Sequence, residues 1–431
     1  MVTLADPLRL PCGAVLRNRL AKAAMTEGLA DPLGRATPGL SRLYGLWSDG
    51  GAGLLITGNV QIDGRHLERA GNVILEGPQT PAAMSRLKDY ARAGTRAGNH
   101  LFMQISHAGR QTQTTINPHP KAPSAVPLAL PGKLFGDPAA LTEEEIAQIV
   151  ERFGEASEIA KEAGFTGVQV HAAHGYLLSE FLSPRANLRT DRYGGSLENR
   201  ARLLLDIVAR VRRGVGAAYP VSVKLNSADF QKGGFAFEDS IQVAKWLEAA
   251  GVDLLEISGG SYEQASMMGA GGDGGALPVK ASTRAREAYF TDFARALRET
   301  VSMPLMVTGG FRTRAGMLDA LDSGATDVIG LGRPLCVMTD GPARLLAGEP
   351  SLPSWETRLT VIPSWLGFLK GLSLVQALEG FAPIYWFYAQ LDSLARRGRP
   401  NPSIAPLLAF FRVNGAAAKW LKARAKAQAK T

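Results

Sequence analysis

The sequence predicts an α/β protein, a (β/α)8 TIM barrel followed by a C-terminal helical extension, and two observations carry that prediction. Short apolar runs alternate with amphipathic helical stretches up to about residue 345, and glycine marks the junctions where helix gives way to strand. No glycine-rich dinucleotide fingerprint leads from the first run into a helix, which argues against a doubly wound open sheet.

Four junctions are plain. Gly51-Ala52-Gly53 leads into Leu54–Ile56, Ala163-Gly164-Phe165 into Val168–Val170, Ala250-Gly251-Val252 into Leu254–Ile257, and Ser323-Gly324-Ala325 into Val328–Leu331. Glycine ends a helix because it takes the left-handed conformation without a steric cost, and short leucine-rich or β-branched runs suit strands buried on both faces. Leu20–Ala24, His100–Gln104, Val221–Leu225 and Leu305–Thr308 bring the strands to eight. Alternation on this scale closes most simply as a barrel. The helices are signed as well. Thr142 with Glu145 makes a capping box ahead of Ile146, Ile149, Phe153 and Ala156, and Ser196 opens a helix carrying Leu203, Leu204, Ile207, Val208 and Val211.

The chain has 431 residues, 45% hydrophobic and 20% charged, enough apolar material for a large core. Residues 1–350 make up the barrel and 351–431 a basic, aromatic-containing helical extension. The net charge of +9 lies almost wholly in that extension, with 11 Lys/Arg against 3 Asp/Glu, so no basic groove for nucleic acid is expected across the barrel. Cys12 and Cys336 are too few for a disulfide framework or a cysteine-held cluster, and MVTLADPLRL does not read as a signal peptide. A cytoplasmic protein is the expectation.

In such a barrel, chemistry belongs at the C-terminal ends of the strands. The fourth strand ends in His171 and continues Ala172-Ala173-His174-Gly175-Tyr176, placing two imidazoles and a phenol in one turn. Neutral imidazoles donate hydrogen bonds to a carbonyl oxygen and a phenol delivers a proton. A metal is the alternative for two histidines, but a turn carries them and no third ligand stands nearby, so none is expected. The seventh and eighth strands end in Gly309-Gly310 and Gly332-Arg333, backbone N–H groups and a guanidinium suited to a phosphate. Met25-Thr26, Gln104 and Lys224 end the first, third and fifth strands. Each reads equally as a satisfied structural residue or a functional one.

Residues 171–200, HAAHGYLLSEFLSPRANLRTDRYGGSLENR, resemble the hallmark segment of the Old Yellow Enzyme family of FMN-dependent reductases, in its single-domain form without an iron–sulfur cluster. Asn18-Arg19-Leu20, His107-Ala108-Gly109-Arg110, 224–230 KLNSADF and Gly332-Arg333 extend the resemblance over the whole barrel. It implies bound FMN, NADH or NADPH as transient reductant, and hydride transfer to an activated alkene. By the same resemblance Ala24, Met25, Thr26 and Gly58 line the flavin ring, with Thr26 hydrogen-bonded at O4. Gln104 meets the pyrimidine edge, Lys224 stands near N1, and Gly309, Gly310, Gly332 and Arg333 hold the phosphate. His171 and His174 grip the substrate oxygen, and Tyr176 protonates the α-carbon. One branch carries Cys and then Tyr where this chain has Thr26 and Gly28, so substrate preference does not carry over.

The extension holds an aromatic stretch over Leu374–Leu394, interrupted by Glu379 and Pro383 and too short to span a membrane, and an Ala/Lys/Arg helix from about Ala416. The plain expectation is a helical appendage packed on the barrel; peripheral lipid contact through Lys419, Lys422, Arg424, Lys426 and Lys430 is the minority reading. An NADH oxidase or flavin-linked demethylase is the alternative within the enzyme class, and a non-catalytic binding protein the alternative outside it. A small molecule is the expected partner, and a homo-oligomer is compatible with the sequence.

Overall fold

Eight parallel strands pair in sequence order and close. They are β1 (Leu20–Lys22), β2 (Leu54–Ile56), β3 (His100–Ser106), β4 (Gly167–Ala172), β5 (Val221–Asn226), β6 (Leu254–Ser258), β7 (Leu305–Thr308) and β8 (Val328–Leu331), and β8 returns to β1 through Ile329, Gly330 and Leu331. This is the (β/α)8 barrel expected from the sequence. The computed structural model describes residues 2–128, 134–258, 293–361 and 373–429, with side chains from Ala382 onward in the last segment.

Every residue of β4, β5 and β6 is buried, because helices cover one face and the barrel interior the other. The helices begin and end on the expected signals. In α3 (Glu143–Ala163) Thr142 and Glu145 cap each other reciprocally and Gly164 closes the helix at φ +93°; α5 (Leu197–Val215) starts on the Ser196 hydroxyl. Between them lies the short α4 (Leu177–Leu182), α1 (Pro38–Asp49) and α2 (Pro81–Thr95) precede α3, and α6 (Phe237–Ala249) and α7 (Arg314–Asp322) follow α5.

An antiparallel hairpin, Leu8–Arg9 with Val15–Leu16, brings Leu10 and Leu16 against Leu54, Phe102, Leu254 and Val328. These residues form a separate apolar cluster, drawn largely from the first halves of the strands.

The extension contains two further long helices, α8 (Ser373–Arg397) and α9 (Pro406–Gln428). The second starts ten residues before the expected position, since Pro406 fits a first helical turn, where a missing N–H is no loss. The first continues through Pro383 instead of breaking there. Trp386 is buried, donates from Nε1 to the Ile404 carbonyl at 3.0 Å and stacks on Trp355. Gln390 and Asn401 exchange two hydrogen bonds, 2.7 and 3.0 Å, across the α8–α9 turn.

Both helices reach the barrel. Arg42 of α1 donates to the Ala395 carbonyl, Trp420 Nε1 to that of Ala30, and Arg424 to those of Pro32 and Gly64. Arg424 is thus turned inward, away from the exposed Lys419 and Lys422; Lys430 lies outside the described residues. No helix among the described residues is long and apolar enough to cross a membrane. Because Trp386 joins packing to a buried hydrogen bond, Trp386→Ala should cost about 3–5 kcal/mol, read as a fall in unfolding free energy in urea.

Candidate active site

His171 occupies the penultimate position of β4, directly opposite Lys224 of β5. The chain then turns sharply, and His174 adopts φ +64°, a left-handed conformation that costs a residue bearing a Cβ of the order of 1–2 kcal/mol. Two side chains hold it there. Asn226 Oδ1 accepts the His174 N–H at 3.0 Å, and Gln111 Nε2 donates to its carbonyl at 2.6 Å. The turn brings the His171 ring to 5.1 Å from that of His174 and 5.0 Å from that of Tyr176, both edge to face.

The surroundings decide what these rings can do. Burial above all pushes both histidines well below their usual pKa, aided for His171 by the His174 ring and then Lys224 and for His174 by Lys224, so both are neutral near pH 7. His171 Nδ1 accepts the Ala173 N–H at 3.2 Å, so the ring proton sits on Nε2. His174 Nε2 lies 2.6 Å from the Ser258 hydroxyl at the end of β6; with Ser258 donating, the proton of His174 sits on Nδ1. Two uncharged N–H donors are then available in one turn, with a buried phenol beside them.

Beneath this turn a chain of polar side chains crosses the interior. Gln104 Nε2 of β3 donates to Gln169 Oε1 at 2.7 Å, Gln169 Nε2 to Glu256 Oε2 at 2.8 Å, and Lys224 Nζ to Glu256 Oε1 at 2.8 Å. All four residues are buried. Gln104 Oε1 accepts nothing among the described residues, and Lys224 has only one of its three N–H donors engaged there. Those groups suit the pyrimidine edge and N1 side of a flavin. Gln169 and Glu256 were not singled out from the sequence, although a carboxylate inside Leu254-Leu255-Glu256-Ile257 was a visible signal.

The segment after β1 is held from below. Lys22 is buried, its pKa pushed down to about 8 mainly by that burial, and its Nζ donates to the Ile56 carbonyl and Tyr44 hydroxyl. Tyr44 donates to Glu27, whose Oε1 accepts the Gly58 N–H at 3.0 Å. A Cβ at Gly58 would lie 2.6 Å from the Met25 carbonyl and 2.8 Å from Thr26 Cα, so glycine is required for this approach. Thr26 and Gly58 therefore lie side by side. The Thr26 hydroxyl, however, donates to Glu68 Oε2 at 2.6 Å, leaving its oxygen as an acceptor unless the hydroxyl turns away.

At the other end, Gly309 (φ +133°) and Gly310 (φ +80°) take conformations that favour glycine, and a Cβ at Gly332 would meet nothing nearer than Met25 Sδ at 3.8 Å. Arg312 and Arg333 converge on Glu356, at 2.7 and 3.5 Å. Burial opposes ionisation of Glu356, but the two arginines outweigh it and hold its carboxyl below the usual range. The two guanidinium groups that follow the glycine turns are thus paired with a carboxylate, which a phosphate would have to share or displace. Arg312 and Glu356 were also missed, being 44 residues apart.

Asp63, His66 and His107 form a second buried cluster, with candidate ligand atoms within 4.8 Å of one another. Hydrogen bonds fix its side chains from outside, while His66 Nδ1 makes none among the described residues and lies 3.2 Å from Asp63 Oδ2. His66 Nε2 accepts the Lys121 N–H, His107 Nδ1 accepts the Gly109 N–H, and Asp63 pairs with Arg65 and Arg152.

Burial lowers the pKa of His107, as it does for His171 and His174. The unfolded chain protonates these histidines below about pH 6.5 while the folded chain does not, so stability falls as pH drops from about 6.5 toward 5. Each contributes up to about 1.4 kcal/mol per pH unit in that window. Urea titrations at pH 7.5, 6 and 5 should show this loss before the carboxylates titrate.

The sequence matches the model of the NADH:flavin oxidoreductase / NADH oxidase family over residues 4–350. It is 35% identical over 416 residues to an NADH-dependent flavin oxidoreductase of Talaromyces variabilis, covering 92% of this chain and 99% of that one. A match of that length includes part of the extension. Among solved structures, the old yellow enzyme homologue from Zymomonas mobilis superposes with a TM-score of 0.68 at 28% identity, over 84% of this chain and 97% of that one. Morphinone reductase gives 0.67 at 26% identity, over 82% and 91%. The barrel and these matches agree: the chain belongs to the NADH:flavin oxidoreductase / NADH oxidase family, the FMN-dependent oxidoreductases of Old Yellow Enzyme type.

Proposed function

We propose that this enzyme is an ene-reductase, using NADH or NADPH to reduce an activated alkene such as an α,β-unsaturated carbonyl compound, with Tyr176 as the proton donor. The observation that carries the reading is the turn itself: two neutral imidazole donors and a buried phenol, with ring centroids about 5 Å from His171 on either side.

FMN, when bound, supplies the hydride for the alkene β-carbon. Gln104, Lys224, Ala24, Met25, Thr26 and Gly58 are the residues that would hold its ring, and Gly309, Gly310, Gly332 and Arg333 those that would hold its phosphate. His171 Nε2–H and His174 Nδ1–H bind the substrate's carbonyl oxygen. Their donors gain strength as negative charge collects on that oxygen, so the pair favours the transition state over the ground state. Neutral donors suit the task, because a charged imidazole in the buried site would carry a heavy desolvation cost. Tyr176 delivers a proton to the α-carbon, and Lys224, paired with Glu256, would offer its remaining N–H donors to the ring's N1 side.

Tyr176→Phe should slow the oxidative half-reaction with 2-cyclohexenone by about a hundredfold, the usual scale for loss of a general acid. It should leave the anaerobic reduction of the bound flavin by NADH within a fewfold of its original rate. Stopped-flow absorbance separates the two; equal losses in both would remove Tyr176 from the proton-donor role.

A further inference from the structure

The extension does more than cover one flank of the barrel. Between α8, α9 and the segment that follows Thr26 lies a crevice of about 660 Å³. Glu27, Gly28 and Arg69 line it from the barrel, and Tyr388, Lys419 and Trp420 from the extension. Its position is set by the contacts already described: Trp420 is tied to Ala30, and Glu27 to Gly58.

Glu68 and Arg69 are neighbours that face different environments. The Glu68 carboxylate is engaged on the site side, where Oε2 accepts from Thr26 and from Asn59 at 2.8 Å. The Arg69 guanidinium lies 3.5 Å over the Tyr388 ring, and a Cβ on Gly28 would come within 3.2 Å of its Nε. Apart from Tyr388, no described residue accepts a hydrogen bond from it, and no described carboxylate lies within ion-pair distance of it.

The remaining charges in the crevice are settled. Arg396 and Arg412 both pair with Asp392, at 2.5 and 3.0 Å, and the Glu27 carboxylate is held by Tyr44 and Gly58. Lys419 is exposed and has no partner among the described residues. Arg69, which meets the charge of Glu68 only from beyond ion-pair distance, and Lys419 are thus the two cations of the crevice with no ion pair among the described residues, and Arg69 is pre-oriented by stacking. A planar guanidinium fixed on an aromatic face, with donors to spare beyond its contact with Tyr388, is suited to a carboxylate or phosphate. Leu29 and Trp420 supply apolar surface beside it.

We propose that Arg69 and Lys419 form a receptor for the anionic group, carboxylate or phosphate, of a small molecule whose apolar body lies along Leu29 and Trp420. Through this receptor the extension selects the ligands of the neighbouring active site. The anion has two chemical sources, the alkene substrate itself or the phosphates of the nicotinamide cofactor. Only the first source rests on the ene-reductase reading.

The test measures binding to oxidised FMN holoenzyme, so it needs no turnover. Dissociation constants are measured by tryptophan and flavin spectroscopy for trans-3-benzoylacrylate, its neutral methyl ester, and non-reducing tetrahydroNAD. Arg69→Met should weaken one of the anionic probes by about tenfold or more, the scale of a charge-assisted hydrogen bond, and shift the ester by less than about twofold. Arg69→Lys should recover part of that loss. The probe that weakens identifies the source of the anion. If Arg69→Met loses FMN or fails to fold, Lys419→Glu on the exposed side decides by the same comparison. Unchanged constants for both anions, or equal losses for the acid and its ester, would overturn the proposal. Failure to reduce any alkene would count against the ene-reductase reading and leave these binding constants standing.

Discussion

The buried ion pair between Lys224 and Glu256 is the constraint on which the rest of the site depends. The interior of a β/α barrel is ordinarily filled with branched apolar side chains, and two charges there lose their hydration. Here the charges neutralise each other at 2.8 Å, and Gln169 and Gln104 carry the hydrogen bonding on to β3. Removing one partner of such a pair typically costs about 3–5 kcal/mol, so its geometry is held firmly. Lys224 also faces His171 across the strand register and helps keep both histidines uncharged. A slip of one residue between β4 and β5 would turn His171 and Lys224 to opposite faces.

That arrangement gives different jobs to the two ends of the barrel. One end is closed by the hairpin and its apolar cluster and supplies rigidity. The other gathers groups that need fixed orientation: a strained His174 pinned by Asn226 and Gln111, a Gly58 backbone drawn against Glu27, and a pair of arginines resting on Glu356. In each case a polar partner from a different element supplies the restraint, so the site is stiffened by contacts between neighbouring elements.

What was legible in the sequence follows from this. The strands could be read because each is a short apolar run entered after a helix, often through glycine, and the His171–Tyr176 turn because its residues are adjacent. Gln104 and Lys224 stood out as polar residues at strand ends, but Glu256, which neutralises Lys224, lies 32 residues further on and no local pattern joins them. Thr26 and Glu68 are 42 residues apart, and their hydrogen bond alters which partner the Thr26 hydroxyl serves. The extension was hardest to read. Its α9 begins with Leu407, Leu408 and Phe411 exposed, a face with no amphipathic period to mark it, and its contacts with Ala30, Pro32 and Gly64 span nearly the whole chain.

The central claim is that the strand-end cluster completes hydride transfer to carbon. The most direct measurement is anaerobic reduction of 2-cyclohexenone by the FMN holoenzyme with NADH deuterated at both C4 positions, in ordinary water, with the product examined by NMR and mass spectrometry. The account predicts cyclohexanone carrying one deuterium at the β-carbon and a solvent-derived hydrogen at the α-carbon. Consumption of NADH only when oxygen is admitted, with no saturated ketone formed, would contradict it.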